Sequence, residues 1–96
     1  MTEVRILYWK DIPYGVRAID GERRVTRKLP QAFEATVDAA AMAEGETEQS
    51  AYRAGFQWGP AQQRADDPEA VADAVVGELC QAYPRERLIK LARREA

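Results

Sequence analysis

The chain has 96 residues, of which 46% are hydrophobic and 31% are charged, with a net charge of −2 and a pI near 5.2. This length suits one domain, and the acidic balance argues against a nucleic-acid-binding protein, which needs a strongly basic surface. The chain has no histidine and one cysteine, so zinc sites of His and Cys and histidine-activated nucleophiles are excluded within one chain. We expect no catalytic residues, no metal site and no cofactor.

Residues 3–9 alternate as a short strand that ends at Asp11-Ile12-Pro13, because proline cannot donate to a sheet ladder. Both alternating rows are largely apolar, so this strand is expected in the middle of a sheet. The rows are Val4, Ile6 and Tyr8 on one side, and Arg5, Leu7 and Trp9 on the other.

Residues 14–19 and 22–28 read as a hairpin around a two-residue type I′ turn at Asp20-Gly21. This turn would place Ile19 opposite Glu22. The side expected to face the core carries Tyr14, Val16, Ala18 and Val25. The other side carries Arg17, Ile19, Glu22, Arg24, Thr26 and Lys28.

Helical periodicity predicts helices over about residues 30–44, 48–54, 68–83 and 85–94, separated by a loop over residues 55–67. Thr47 is the expected N-cap of the second helix, and Asp67 that of the third. The expected apolar positions are Leu29, Phe33, Val37, Ala40 and Ala41, then Val71, Val75, Leu79 and Ala82, then Leu88, Leu91 and Ala92.

The order of elements predicts a single α+β domain over residues 1–96. It would consist of a three-stranded antiparallel sheet followed by three to four helices packed on one face. Cys80 follows Leu79 near a helix end and is interpreted as a small buried hydrophobic residue rather than a reactive thiol.

The N-terminus shows neither a basic segment nor an apolar segment typical of a secretory signal, and no run is apolar enough for a membrane span. We therefore expect a cytoplasmic protein that does not contact a membrane.

The hairpin is the first candidate binding surface. Between Arg17 and Lys28 it has five cations and two anions, a charge of +3 on an acidic protein. Such a patch could meet an anionic ligand or an acidic protein surface. Alternatively, the charges only keep an exposed sheet face soluble. The candidate residues are Arg17, Arg24, Arg27 and Lys28, joined by Trp58.

Two further segments have competing interpretations. Phe56 and Trp58, in a polar loop, could anchor a partner or fold back and close the open end of a small core, which we favour. Lys10 and Asp11 stand where a strand stops and could form a functional site there. A turn initiated by Asp11 explains them more simply. The acidic residues Glu44, Glu46, Glu48, Asp66 and Asp67 show no metal-ligand spacing.

Three segments carry a family resemblance: Ile6-Leu7-Tyr8-Trp9-Lys10-Asp11-Ile12-Pro13, Leu29-Pro30-Gln31-Ala32-Phe33-Glu34 and Val37-Asp38-Ala39-Ala40-Ala41-Met42. With Tyr52, Trp58, the Asp66-Asp67 helix start and a leucine-rich last helix, they make residues 4–92 resemble the small bacterial "virulence factor" domains.

The resemblance implies short cytoplasmic proteins, or domains within larger proteins that carry an iron–sulfur-scaffold-like segment and helical repeats. It also implies a genetic neighbourhood of methylenetetrahydrofolate-reductase-like and corrinoid methyltransferase proteins. The family name describes a phenotype, and the resemblance carries over no catalytic residue.

Three hypotheses follow. The first is a non-enzymatic adaptor that binds a larger protein, in one-carbon or corrinoid methyl-transfer metabolism, through Arg17, Arg24 and Lys28, with Trp58 as a further contact. The second is a binding protein for an anionic, folate-like small molecule, or a minor enzyme subunit, with Arg17, Arg24 and Arg27 holding the ligand. The third is a homodimer without a small ligand.

Overall fold

The computed structural model describes residues 1–46 and 48–94. The elements in chain order are β1 (Thr2–Trp9), β2 (Ile12–Asp20), β3 (Arg23–Lys28), α1 (Gln31–Ala43), α2 (Gln49–Ala54), β4 (Phe56–Trp58), β5 (Gln62–Arg64), α3 (Pro68–Ala82) and α4 (Arg85–Ala92). The α+β class predicted from the sequence is confirmed. The single-domain organisation stays a prediction.

The antiparallel sheet has five strands rather than three. β3, β2 and β1 form a meander, and both β4 and β5 pair with β1, at residues 7–9 and 2–4 respectively. The prediction of a loop over residues 55–67 was therefore wrong at 56–58 and 62–64. A three-residue strand is too short to show periodicity, and these two form because β1 offers them an unpaired edge.

The register of the β2–β3 hairpin also differs from the prediction. Ile19 pairs with Arg24, so the turn residues are Gly21 and Glu22 rather than Asp20 and Gly21. Gly21 has a φ of 62°, whereas Glu22 is not among the described residues with positive φ, which is the pattern of a type II′ turn. Because the shift is two residues, it moves no side chain of the hairpin to the other face.

A β-bulge in the β1–β2 pair changes the direction of one side chain. The register shifts between Leu7 and Tyr8, leaving Tyr14 as the extra residue on β2. Tyr14 is half-buried, and its hydroxyl donates to Glu34 Oε2 of α1 at 3.1 Å. The bulge therefore directs Tyr14 towards α1 instead of the main core.

The core has two parts. The first lies between the sheet and α3 and contains Val4, Val16, Ala18, Leu29, Phe33, Val71, Ala72, Val75, Leu79 and Leu88. The second lies at the end of the sheet, where α1 packs on it, and contains Trp9, Ile12, Val37, Ala40 and Ala41. α4 packs against α1, so it adds a layer beside the sheet rather than on it.

The helix ends follow local signals. The side chain of Asp67 accepts a hydrogen bond from the Ala70 amide at 2.9 Å, as the predicted N-cap requires. The predicted cap Thr47 lies outside the described residues, and α2 has Glu48 at its N-cap position. No helix within residues 1–46 and 48–94 is long and apolar enough to cross a membrane.

Two predicted core residues of α3 are exposed. Cys80 and Ala82 both face solvent, so the interpretation of Cys80 as buried was wrong. One residue corresponds to a turn of about 100° around a helix, and Leu79 already occupies the buried direction.

Candidate functional site

One face of the sheet is left largely uncovered and forms the candidate site. It carries Arg5 and Leu7 of β1, Arg17 and Ile19 of β2, Arg24, Thr26 and Lys28 of β3, and Trp58 of β4. None of these residues is buried. We call this surface the open face. Trp9 follows Leu7 in the same alternating row, but α1 covers it and leaves it 0% exposed.

Trp58 is the most prominent apolar group of the open face. Its pairing with Leu7 of β1 fixes its position, and it is 42% exposed. The Arg17 guanidinium carbon lies 4.2 Å from the centre of its ring, within the range of a cation–π contact. The predicted closing role fits Phe56, which packs in the second core cluster, but not Trp58.

The arginines of the open face lie close to one another. Arg17 is directly opposite Arg5 on β1 and opposite Thr26 on β3. Two like charges at opposite positions of a sheet are unfavourable unless an anion screens them. Arg5 has such a partner, because its Nε lies 3.3 Å from Glu3 Oε1. The Arg17 guanidinium instead contacts the Trp58 ring, and it has no ion pair within the described residues.

The other sequence-predicted cations differ in their surroundings. Lys28 Nζ lies 2.6 Å from Glu34 Oε2; this hydrogen bond raises the pKa of Lys28 and, with the one from Tyr14, lowers the pKa of Glu34. Arg24 is exposed and has no ion pair in the part of the chain that the structure describes. The open face therefore presents Arg17 and Arg24 as its least neutralised charges.

The guanidinium of Arg27 is directed away from this surface. Arg27 is opposite Val16, whose side chain faces the core, and its Nε donates to Asp73 Oδ1 of α3 at 3.1 Å. The ligand site of Arg17, Arg24 and Arg27 predicted from the sequence is thus not assembled, because adjacent register positions point to opposite faces.

A depression of about 260 Å³ lies on the open face beside Trp58. Its lining includes Leu7, Tyr14, Thr26, Lys28 and Trp58, and Val16 and Arg27 also reach it although their register positions belong to the opposite face. Lys28 Nζ is also 5.6 Å from the centre of the Tyr14 ring. An apolar floor with cations at its margin suits a planar group that carries a negative charge.

The strand-end residues Lys10 and Asp11 are engaged in ion pairs. Lys10 Nζ lies 2.8 Å from Glu44 and 2.6 Å from Glu46, and these hydrogen bonds raise its pKa. Arg94 lies 2.9 Å from Asp11 and 2.7 Å from Glu44. These ion pairs join the β1–β2 turn to the C-terminal ends of α1 and α4, so we assign them a role in stability.

Within residues 1–46 and 48–94, no group of three or more His, Cys, Asp or Glu side chains is placed to hold a metal ion. The acidic residues Glu44 and Glu46 instead face Lys10.

Comparison with known proteins adds the family. A family model described as virulence factor matches residues 7–92, which is nearly the whole chain. The chain belongs to the virulence factor family. No curated protein and no solved structure matches it significantly.

For this virulence factor family member, the sequence resemblance is confirmed by the family match.

The residues that sequence reasoning missed at the open face are Leu7 and Ile19, together with Arg5. Alternation within residues 16–20 places Ile19 in the row of Arg17, and alternation within residues 3–9 places Arg5 and Leu7 in one row, but only the pairing of β1 with β2 joins these rows.

Proposed function

We propose that this protein is a non-enzymatic accessory protein that binds a larger protein through the open face of its sheet. The observation that carries the proposal is the pair of Trp58, 42% exposed, and Arg17, stacked on its ring at 4.2 Å. Tryptophan and arginine are the residues most enriched among those that dominate the energy of protein interfaces.

The surroundings of this pair support a protein partner. Leu7 and Ile19 supply half-buried apolar surface beside it, while Arg24 and Lys28 supply charge towards the β3 edge. An apolar centre with a charged margin is the usual composition of a protein interface. The cations favour an acidic surface on the partner, which would also speed encounter at low salt.

The metabolic setting that we propose, one-carbon or corrinoid methyl transfer, rests on what the family resemblance implies. Purified methylenetetrahydrofolate-reductase-like and corrinoid methyltransferase proteins of the source organism are therefore the first partners to test. Binding should be measured by titration calorimetry at low and moderate salt. We expect the dissociation constant to rise with salt, as expected for attraction between exposed charges.

Two charge reversals provide a matched test. Arg24→Glu should weaken binding of the partner about tenfold or more, since it places a like charge against an acidic surface. Arg53→Glu is the control, because Arg53 is also exposed but belongs to α2. Trp58→Ala should weaken binding as well. Equal affinities for wild type, Arg24→Glu and Trp58→Ala would contradict the proposal.

A second candidate function is the binding of an anionic, folate-like small molecule, and the depression beside Trp58 favours it. Its volume of about 260 Å³ is below the roughly 300–1,000 Å³ of most small-ligand sites, so it would hold one ring of a larger ligand. A thermal-shift screen with mono- and polyglutamylated folates, nucleotides and cobalamin tests this, because a ligand of the native state raises Tm. If no compound raises the Tm of the wild type, or if Trp58→Ala does not remove the rise, the small-molecule function is contradicted.

The third possibility, a homodimer, stays a prediction. Sedimentation velocity at several concentrations would measure it directly, and the two main candidates are compatible with either result.

A further inference from the structure

One row of the open face has a gap in its middle. Paired residues of four strands form this row, namely Lys28, Gly15, Leu7 and Trp58. Gly15 has no side chain, and beyond its chain neighbours only the Arg27 carbonyl oxygen, at 3.3 Å, would lie within 4 Å of a Cβ at this position among the described residues. Gly15 also lines the depression of about 260 Å³, so that depression lies over the gap.

The width of the gap suits a flat ring. Neighbouring strands are about 4.8 Å apart, so the backbones of Leu7 and Lys28, on either side of Gly15, are separated by about 10 Å. Carbon atoms in contact lie about 3.5–4.0 Å apart. A single ring standing upright over Gly15 can therefore touch the side chains on both sides.

The side chains that border the gap are held by their own contacts. Lys28 Nζ bonds to Glu34 of α1 and lies 5.6 Å from the centre of the Tyr14 ring, so the head of Lys28 is held towards α1. On the other side, Arg17 stacks on Trp58 and fixes the ring that borders the depression. The gap is thus formed before any ligand enters, which lowers the entropic cost of binding.

The β-bulge explains why the gap exists. Tyr14 is the extra residue of β2 and turns towards α1, while Gly15 takes the position opposite Leu7. Bulges are frequent beside binding sites because they redirect a side chain, and a glycine within a strand often marks a place that another molecule approaches closely. Both features occur at this depression, next to the pair of Trp58 and Arg17.

We infer that the space over Gly15 receives one aromatic side chain of the protein partner. Leu7, Tyr14 and Trp58 line it with apolar and aromatic surface, and its volume is below the roughly 300–1,000 Å³ of sites that enclose a whole small ligand. Because Lys28 already has an ion pair, the ring needs no charge of its own. Aromatic anchors in interface pockets often dominate binding energy. The inference rests on the proposed function, since it names the group that the partner places on the open face.

Small analogues of aromatic side chains test this space without a partner. In NMR spectra of the full chain, the indole N–H of Trp58 is the reporter. That of Trp9 is the internal control, because Trp9 is 0% exposed and bonded to the Tyr52 carbonyl. Titration with 4-methylphenol should shift the Trp58 signal and the Gly15 amide signal saturably, without moving the Trp9 signal. The thicker ring of 4-methylcyclohexanol should bind about fivefold more weakly. Equal affinities, or no saturable shift, would overturn the inference.

Substitutions show whether the ring lies over Gly15. Gly15→Val fills the space and should abolish the Trp58 shift. Gln63→Val is the control and should retain it, because Gln63 is exposed on β5 and does not line the depression. Gly15→Ala adds one carbon and should weaken binding of 4-methylphenol, which keeps the test valid if valine disturbs the sheet. Unchanged affinity in both Gly15 variants would overturn the inference.

Affinity for the partner separates this inference from the proposed function. Gly15→Val should weaken partner binding about tenfold or more, and 4-methylphenol should compete with the partner. If Arg24→Glu and Trp58→Ala weaken binding but Gly15→Val does not, the inference fails and the proposed function stands. If none of the three weakens binding, the proposed function fails as well. A free aromatic molecule that fills the depression without competing with the partner would also overturn the inference.

Discussion

The guanidinium of Arg17 lies 4.2 Å from the centre of the Trp58 ring, joining β2 to β4 across β1 on the open face. Neither residue belongs to the buried core, and the pair is formed between segments that are about forty residues apart in the chain. The exposure of Trp58 and the strength of its contact with Arg17 can both be measured without a partner protein.

The two tryptophans should differ in their response to a quencher of fluorescence. Trp9 is 0% exposed and Trp58 is 42% exposed, so acrylamide should quench Trp58 alone in the folded protein. In Trp58→Phe, the remaining emission should be blue-shifted and resistant to quenching. Arg17→Ala should make Trp58 more accessible, and a double-mutant cycle should give a coupling of about 0.5–1 kcal/mol. A coupling of zero would contradict the contact.

Two glycine substitutions should change stability in opposite directions. A Cβ on Gly55 would lie 2.5 Å from Nε1 of Trp9, whose N–H donates to the Tyr52 carbonyl at 2.8 Å. Gly55→Ala should therefore lower the free energy of unfolding by about 1–3 kcal/mol. Gly77→Ala, in α3 with open space around it, should raise that energy by about 0.5–1 kcal/mol. Urea denaturation measures both, and equal effects would contradict this packing.

Loss of the Glu44 charge should loosen α4. Glu44 faces both Lys10 of the β1–β2 turn and Arg94 beyond α4, so Glu44→Gln leaves two cations with a weaker partner. Amide hydrogen exchange in α4 should accelerate more than exchange in α3. Glu48→Gln is the control, since Glu48 is exposed and forms no ion pair within the described residues. Uniform acceleration in both helices would argue against a local role.

The ion pair between Arg64 and Glu78 should make stability depend on acid pH. Two hydrogen bonds of 2.7 and 2.8 Å from Arg64 lower the pKa of Glu78 below its ordinary value of 4.5. The pair therefore stabilises the protein fully above pH 4.5 and loses this effect as the pH falls through the lowered pKa. Glu78→Gln should cost at most about 1 kcal/mol near neutrality.

At strongly acid pH, the Tm values of Glu78→Gln and wild type should converge. Glu86→Gln, at an exposed position of α4, should follow the wild-type curve throughout. A constant difference between Glu78→Gln and wild type at every pH would show that the substitution acts by packing instead of charge.

Cys80 should react in the native state. It is exposed and lines a groove between α1 and α4, so Ellman's reagent should modify it without denaturant. Modification that requires unfolding would contradict the exposure of the thiol and support the buried position expected from the sequence.

The sequence determined much of the local structure. The helices begin and end within about two residues of their predicted bounds, because Pro30, Asp67 and Pro84 act through their own backbone and side-chain chemistry. The alternation of residues 3–9 predicted correctly which side chains share a face. Even the error of two residues in the β2–β3 register left those faces unchanged, because strands repeat every two residues.

The tertiary structure decided the features that depend on distant segments. β4 and β5 are strands because β1 offers them an edge, and Trp58 belongs to the open face because of that pairing. Trp9 and Leu7 alternate in one row, yet α1 buries only Trp9. Charge patterns along the chain did not indicate that Arg27 would meet Asp73 while Arg24 stayed exposed. Local chemistry sets an element, but only the packing of elements decides which of its side chains remain available for binding.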